Sequence, residues 1–257
     1  MGDISRNFPH APTVTLNVNF QGETMHTSVR NYFIKFNVPI EGRVTHMYLD
    51  INGLVTIGVG NLIDVETGSA DKILTEIKAL PFVLKKGANI GKPASPADIE
   101  AEWKLVKGTQ EWKNHKASQF AGITNLELQE EAIIALALKK ADVMEKELKH
   151  HAAFRDFDQW PADAQLGVLS MAWALGTTKL RNGWPSFNAA CQKQDFDAAV
   201  KQCEISAVGN SILELRNDEN KKLFNNAAAV RASDGKNLAE NTQQRLTLYY
   251  PRTMMKK

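Results

Sequence analysis

The fold of this chain is decided by one stretch, Glu41-Gly42-Arg43-Val44-Thr45-His46-Met47-Tyr48-Leu49-Asp50-Ile51-Asn52-Gly53-Leu54-Val55-Thr56-Ile57-Gly58-Val59-Gly60-Asn61-Leu62. The Asn52-Gly53 pair predicts a β-hairpin, because both residues tolerate the positive φ of a type I′ turn. Residues 48–49 and 54–57 are then short flanking strands. Asp50 and Thr56 are expected on these paired strands, facing each other or nearly so.

The residues before the hairpin predict an amphipathic helix. Thr27 and Ser28 are candidate N-cap residues, and Pro39 is expected to mark the end of the helix or a kink near it. Four apolar side chains recur at helical spacing: Val29, Tyr32, Phe33 and Phe36. Glu41 is therefore expected at the junction between the helix and the hairpin.

Glu41 and Asp50 form a candidate catalytic pair. Two carboxylates on different elements can acquire different pKa values from their surroundings, which general acid and general base work on a glycosidic bond requires. Spacing alone is weak support, because the chain has 29 acidic residues and most acidic side chains are simply solvated. Composition by itself therefore favours two surface carboxylates.

The order of residues around this pair resembles the active-site signature of phage-type lysozymes, glycoside hydrolase family 24. The matching pattern is Glu-x8-Asp-x5-Thr, with Gly after the Glu, Tyr-Leu-Asp, an Asn-Gly turn and Thr-Ile-Gly-Val-Gly. The resemblance implies that Glu41 is the general acid that protonates the leaving sugar oxygen. It implies that Asp50, helped by Thr56, activates the water that attacks from the opposite face, which gives inversion and a carboxyl separation of about 6.5–9.5 Å.

One position beside this signature departs from the family pattern. Asn61 stands where the family usually has His after Gly-x-Gly. An Asn side chain forms hydrogen bonds but does not titrate near neutral pH. A contribution of that His to positioning or to pH dependence is therefore not expected in this chain.

The resemblance resumes in three later segments, 169–176, 183–187 and 195–199, which are similar to the helical lobe of the same family. It implies substrate-binding positions for Leu62 and Trp173, and a pairing of Arg216 with Glu41 across the lobes. Burial in the helical core is the alternative for Trp173, and a surface position on a helix is the alternative for Arg216. Because a guanidinium favours the ionised form of a neighbouring carboxylate, the expected role of Arg216 is to orient the acid.

Composition is that of an ordinary globular protein, with 43% hydrophobic and 23% charged residues among 257. A net charge of +2 is far from the basic excess of nucleic-acid-binding domains. The sequence contains no apolar run of about 18 residues, so no membrane-spanning helix is predicted. Residues 1–9 lack the apolar core of a signal peptide, so delivery by another route, or as part of a larger secreted protein, is expected.

The cysteines and histidines predict no metal site. The six histidines show no metal-ligand spacing on one element. Cys191 and Cys203 lie on what read as successive helices and are expected to be two buried thiols, with a disulfide as the alternative.

Four further helices are indicated by their caps and apolar spacing. Residues 70–79 form the first, and Ser95 with Pro96 at the first helical position opens the second, which stops at Gly108. A capping box at 124–127 opens a long connecting helix that continues to about residue 150. Its candidates for burial are Leu128, Ala132, Ile134, Leu136, Leu138, Val143 and Leu148. The last helix follows Trp160-Pro161 and ends at Gly176.

The remaining segments are the two ends and an insert. Residues 13–20 and 246–250 predict strands, whose pairing would bring the termini together. Residues 81–122 are rich in lysine and contain Trp103 and Trp112. This insert is either a solvated face with two core tryptophans or an added wall for a cleft that binds a glycan.

These observations predict an α+β, lysozyme-like two-lobed fold: a small antiparallel hairpin sheet, a long connecting helix and a larger helical lobe, with the cleft between them. The expected divisions are 1–27 as an N-terminal extension, 28–224 as the lysozyme-like domain with a basic helical insert at about 81–122, and 225–257 as a C-terminal extension.

The resemblance implies a muramidase, which cleaves the β-1,4 bond between N-acetylmuramic acid and N-acetylglucosamine. No cofactor is needed, because side chains make both proton transfers. The expected partners are peptidoglycan and an inhibitory or immunity protein, without nucleic acid or membrane insertion, and a monomer is expected. The site of action would be the periplasm or cell wall, for an antibacterial effector or a phage lysis enzyme. The alternatives are a non-catalytic peptidoglycan-binding module and a glycosidase for another amino-sugar polymer.

Overall fold

The computed structural model describes residues 25–65, 70–233 and 238–254. The helices in these ranges are α1 Thr27–Glu41, α2 Asp71–Lys78, α3 Pro96–Gly108, α4 Glu130–Lys149, α5 Ala162–Leu175, α6 Thr177–Gly183, α7 Pro185–Gln192, α8 Phe196–Gln202, α9 Ser211–Ser233 and α10 Leu238–Leu246. The strands are β1 Val44–Leu49, β2 Val55–Gly58, β3 Asn61–Leu62, β4 Phe82–Leu84 and β5 Leu126–Leu128. Short 3-10 turns span Gln110–Trp112, Ala117–Gly122, Ala152–Phe154 and Phe157–Gln159.

The strands form two small antiparallel sheets, one in the order β1-β2-β3 and one of β4 with β5. Helices make up most of the rest, so the predicted α+β class is confirmed. The helix α4 packs against β2 and β3 on one side and against α1, α5 and α6 on another. It therefore connects the sheet region to the helical region, as predicted for this helix.

The start of α1 differs from the prediction. The helix already begins at Thr27, its N-cap residue is His26, and no side chain caps it. The His26 backbone N–H instead donates to Gln165 Oε1 at 2.8 Å, so a contact with α5 sets the helix start. Pro39 lies within the last turn, and α1 ends at Glu41, which confirms the predicted junction.

The hairpin is present, but its turn is longer than the Asn-Gly motif predicts. β1 pairs with β2 through Leu49 and Val55, so residues 50–54 form the connection. Gly53 has a φ of +74°, whereas Asn52 does not adopt positive φ, and the type I′ prediction is wrong. The reason is local: the Asp50 side chain accepts hydrogen bonds from the backbone of this loop and stabilises a wider turn.

The helix α4 begins five residues later than predicted, with Gln129 rather than Thr124 as its N-cap residue. Residues 126–128 form β5, which pairs with β4, and the helix begins only at Glu130. The capping-box prediction at Thr124 is therefore wrong. The carboxylate of Glu102 accepts the backbone N–H of Leu126 at 3.0 Å and supports this strand from α3.

The buried face of α4 agrees with the prediction only in part. Ala132 and Leu148 are buried as predicted, whereas Ile134, Leu136 and Leu138 are only partly buried and Val143 is 49% exposed. The other buried side chains of this helix are Ile133, Ala137, Ala141 and Met144. The buried face is therefore rotated relative to the predicted one, and its alanines allow close approach of neighbouring elements.

The helix α5 is the centre of the helical region and packs against α1, α4, α6 and α9. Its bounds match the prediction, with Pro161 before it and Gly176 after it. Gly167 is required in α5, because a Cβ atom there would lie 2.8 Å from the ring of Phe224 in α9. The predicted helices at 70–79 and from Ser95 are confirmed as α2 and α3, and α3 has the predicted capping residue.

The insert supports the sheet. Its helix α3 packs against β1 and β2, and the buried Trp103 donates its indole N–H to the Ile63 carbonyl at 2.8 Å. Trp112 packs edge-on against Phe120. Lys107 forms an ion pair with the buried Asp64. These contacts agree with the interpretation of the insert's two tryptophans as packing residues.

The C-terminal part is irregular where a strand was expected. Leu246 ends α10 and residues 247–249 form no strand, so the predicted strand at 246–250 is wrong. Its proposed partner at 13–20 lies outside the described residues. Asp163 at the start of α5 instead accepts the backbone N–H groups of Tyr249 and Tyr250 at 2.9 and 3.0 Å. This contact attaches the segment to the helical region.

Candidate active site

Glu41 lies where α1 ends and the sheet begins. Gly42 follows with a φ of +74°, which a residue without a side chain adopts readily, and its N–H donates to Val38 O at 2.9 Å. This turn directs the chain into β1. The Glu41 side chain remains 26% exposed, so its carboxylate is accessible from solvent.

Arg216 in α9 forms an ion pair with Glu41, from 175 positions further along the chain. The Arg216 guanidinium also donates to the carbonyl and the hydroxyl oxygen of Ser170 at 3.0 and 2.8 Å. Arg216 is fully buried, so the alternative prediction, a surface position on a helix, is wrong. Burial lowers the pKa of Arg216, whereas the charge of Glu41 acts in the opposite direction. Asn37 Oδ1 is a fourth acceptor, 3.5 Å from the guanidinium, and together these contacts give the guanidinium one orientation.

The second oxygen of Glu41 and the indole nitrogen of Trp173 both lie near Gly60. A Cβ atom at Gly60 would lie 3.8 Å from Glu41 Oε2 and 3.8 Å from Trp173 Nε1. The Trp173 ring also packs edge-on against Phe33, with centroids 5.4 Å apart. Trp173 is 7% exposed and therefore part of the core, and Gly60 lies between its indole and the candidate acid.

Asp50 is in the hairpin loop, and this corrects the prediction that Asp50 faces Thr56 on paired strands. The strand partner of Thr56 is Tyr48. Asp50 Oδ1 accepts the backbone N–H groups of Asn52 and Leu54 at 2.8 and 2.9 Å. These bonds fix the carboxylate on the loop, and the second oxygen, Oδ2, has no part in them.

Tyr48 lies within reach of the charges of both candidate carboxylates. The pKa of Tyr48 is raised to about 12, mainly by burial and also by the negative charges of Glu41 and Asp50. Both carboxylates therefore lie close enough to act on the same phenol group. Tyr48 is not among the site residues predicted from the sequence, although it lies two residues before Asp50 in the signature.

Thr56 and Leu62 lie on the same face of the sheet as Tyr48. Thr56 pairs with Tyr48 on one side and with Leu62 on the other, and directly opposed residues of antiparallel strands share a face. The Thr56 hydroxyl donates to Leu54 O at 3.2 Å, and Leu62 is 40% exposed. Asn61 pairs with Ile57 and points to the other face.

An apolar cavity of about 280 Å³ adjoins the site between α2, α4 and β3. Leu62, Ile77 and Leu136 are among the side chains that line it, together with Lys140. Glu41, Asp50 and Trp173 do not line this cavity, and Lys140 links it to the candidate site through its contact with the Trp173 ring. Such a mainly apolar hollow with a few polar groups is typical of ligand sites.

Lys140 is a site residue that the sequence analysis missed. Its ammonium group lies 3.9 Å from the centroid of the Trp173 ring and donates to Gly60 O at 3.2 Å. The pKa of Lys140 is lowered to about 8, mainly by burial. The charge of Arg216 contributes to this decrease, whereas the charge of Glu41 opposes it. In the sequence, Lys140 lies at helical spacing from Ala137 and Met144, on the buried side of α4. A lysine that is exposed to solvent is not expected there.

The described residues contain no group of three or more histidine, cysteine or acidic side chains that could hold a metal ion. Cys191 and Cys203 are both buried thiols, and burial raises the pKa of each. Among the described helices, none has the length and apolar character needed to cross a bilayer.

Comparison of the chain with protein-family models gives no match, and comparison with curated proteins gives none either. The candidate site is therefore defined by its own geometry and by the residue pattern of 41–62. The site contains two carboxylates on neighbouring elements, Glu41 and Asp50. Glu41 forms an ion pair with the buried Arg216, and the aromatic residue Tyr48 lies near both carboxylates.

Proposed function

We propose that this protein is a peptidoglycan hydrolase that cleaves the β-1,4 bond between N-acetylmuramic acid and N-acetylglucosamine, with the two-lobed fold of phage-type lysozymes. The observation that carries the proposal is the arrangement of Glu41. One of its oxygens is held by the buried Arg216 from a distant helix, and the other lies near Gly60. The pairing with Arg216 is the one that the family resemblance implies for the acid.

In this proposal Glu41 donates its proton to the glycosidic oxygen as the bond to the anomeric carbon breaks. Asp50, with Thr56 beside Tyr48 on the sheet face, takes a proton from a water molecule that attacks the anomeric carbon from the opposite side. The result is inversion, and the proton lost by Glu41 returns from solvent. Both transfers use only side chains that titrate, so the reaction as proposed needs no cofactor.

The role proposed for Arg216 is orientation. A guanidinium that is fully buried and also bonded to Ser170 moves little, so the carboxylate that it holds has a defined direction. Trp173 and Leu62 would provide apolar contact for the sugar rings. The exposed fraction of Leu62 and the open side of Glu41 are consistent with a substrate that arrives from solvent.

The test is incubation of the protein with purified cell-wall sacculi, followed by separation and mass analysis of the soluble products. The proposal expects muropeptides with the mass of a hydrolysed glycan strand. If the protein binds sacculi but releases no soluble product, it is a wall-binding module instead. Cleavage of a different amino-sugar polymer, without cleavage of sacculi, would identify another glycosidase.

The acid is tested with Glu41→Gln, which preserves the size and one acceptor oxygen but has no proton to give. Solubilisation is expected to fall by roughly three orders of magnitude or more, with an unchanged circular dichroism spectrum. The matched control is Glu111→Gln, at an exposed glutamate of the insert, which should retain full activity. Appreciable turnover in Glu41→Gln would exclude Glu41 as the acid.

The same reaction accounts for the biological roles that we propose. A muramidase acts in the bacterial periplasm or on the cell wall, as an antibacterial effector or as a phage lysis enzyme. An effector requires a partner that inhibits it in the producing cell. Co-purification of such an inhibitor with the protein, and loss of sacculus digestion in its presence, would distinguish the effector from the lysis enzyme.

A further inference from the structure

Lys140 links three elements of the candidate site. It extends from α4, donates to the carbonyl of Gly60 between β2 and β3, and lies over the Trp173 ring of α5. We propose that Lys140 is a positioning residue of the Glu41 site: its ammonium group holds the Trp173 indole and the Gly60 carbonyl beside Glu41 Oε2, and this arrangement weakens when the amine loses its proton. This inference rests on the proposed function for its consequence in catalysis.

The two positioned groups both contact Lys140 directly. Gly60 has a φ of +80° in a tight turn, and its carbonyl is fixed by the Lys140 amine. The indole of Trp173 is packed between Phe33 and the ammonium group. A neutral amine can still donate a hydrogen bond, but it loses the attraction of a cation for the aromatic face. Deprotonation therefore loosens the side of the site that faces Glu41 Oε2.

The charges around Lys140 explain why its proton is lost at an unusually low pH. Glu41 from α1 favours the ammonium form, whereas Arg216 from α9 and burial oppose it. Lys139 on the same helix pairs with Glu76 of α2, with its nitrogen 3.6 Å from the carboxylate oxygen, so these two charges partly compensate each other. One carboxylate thus faces two cations, and Lys140 is the cation that can titrate near neutral pH.

The first experiment measures the state of Lys140 without using catalysis. Tryptophan fluorescence is recorded from pH 6 to 9.5, and the spectrum of Trp173→Phe is subtracted to isolate Trp173. The difference should show a transition with a midpoint near pH 8 in the wild type. Lys140→Met should abolish it, and Lys139→Met, at the adjacent lysine that is 71% exposed, should leave it unchanged. In Glu41→Gln the midpoint should fall, because the negative charge that stabilises the ammonium group is gone.

A transition in Lys140→Met with the same midpoint as the wild type would overturn the inference. So would a midpoint that Glu41→Gln leaves unchanged, because Lys140 and Glu41 would then not be coupled. Neither result depends on enzymatic activity. The fluorescence experiment therefore decides about Lys140 even where the proposed function fails.

The second experiment measures the initial rate of sacculus digestion against pH. At pH 7, Lys140→Met should reduce the rate by roughly tenfold, since misplacement of groups beside the acid costs about that much or more. Lys140→Arg keeps a cation that does not titrate in this range, so it should retain the rate at pH 7 and lose the decrease that the wild type shows above pH 8. If Lys140→Met does not fold, judged by near-UV circular dichroism, Lys140→Arg decides alone.

The outcomes separate the two ideas. An alkaline decrease in Lys140→Arg that equals the wild-type decrease would overturn the positioning role while leaving the muramidase proposal intact. Absence of any sacculus digestion by the wild type would remove the muramidase proposal, and the fluorescence transition would still report whether Lys140 is coupled to Glu41.

Discussion

Replacing Lys140 with methionine measures the free-energy cost of an ammonium group at this position in the folded protein. Methionine has a similar length and no proton to lose, so it removes the titration and keeps most of the packing. Burial, opposed by the charge of Glu41, lowers the pKa of Lys140 from 10.5 to about 8. Each pKa unit corresponds to about 1.4 kcal/mol, which sets an upper limit of about 3 kcal/mol on the effect.

The sign follows from the two pKa values. Between pH 8 and 10.5 the unfolded chain still holds the proton and the folded protein has released it, so wild-type stability increases with pH in this window. The contribution is fully present above pH 10.5 and is lost as the pH falls through 8. Lys140 is only partly buried, and screening by water reduces the limit to an expected change of about 2 kcal/mol.

The assay is urea unfolding at equilibrium, followed by far-UV circular dichroism at several pH values from 7 to 10. Other groups titrate in the same range, so the informative quantity is the difference in free energy of unfolding between the wild type and Lys140→Met. This difference should change by about 2 kcal/mol in favour of the wild type as the pH rises. For Lys139→Met it should remain within about 0.5 kcal/mol. A difference that does not vary with pH for Lys140→Met would refute the reasoning.

Three further substitutions test other parts of the structure. Asp50→Asn keeps an acceptor for the hairpin loop but cannot take a proton from water, so sacculus digestion should fall about 100-fold or more with nearly unchanged thermal stability; an active variant would move the base elsewhere. Burial raises the pKa of Asp163 from 3.8 to about 6, so stability present below pH 3.8 is lost as the pH rises through 6. Urea unfolding should show Asp163→Asn gaining about 2–3 kcal/mol relative to the wild type over this window, and parallel curves would contradict this. Gly167→Ala places a methyl group 2.8 Å from the Phe224 ring and should lower the free energy of unfolding by about 1–3 kcal/mol in thermal denaturation; an unchanged value would show that α5 and α9 separate without cost.

The helices whose ends depend on nearby residues could be predicted from the sequence. α3 begins with Ser95 as its capping residue and Pro96 at its first position, as the local pattern indicates. α5 begins after Pro161 and ends before Gly176. In these cases the groups that satisfy the helix terminus are within a few residues of it, so a short stretch of sequence contains the whole physical cause.

The predictions that were wrong depended on distant residues. Leu126 to Leu128 form a strand because β4, about forty residues earlier, pairs with them. The helix α1 begins where Gln165 accepts its N-cap N–H. The hairpin is the exception, because the Asp50 side chain that widens its turn lies in the same loop. Each of these contacts competes with a local preference and exceeds it.

The candidate site shows the same division. The pattern of 41–62 was sufficient to select Glu41, Asp50 and Thr56 and to expect Glu41 where a helix meets a hairpin, since these relations are local. The pairing of Arg216 with Glu41 across 175 positions was implied by the family resemblance and by no local pattern, and only the tertiary structure brings Lys140 to the Trp173 ring. Sequence alone determines which chemical groups and local elements the chain possesses. Which groups become neighbours, and how burial changes their protonation, is decided by packing, because charge and desolvation act through space and not along the chain.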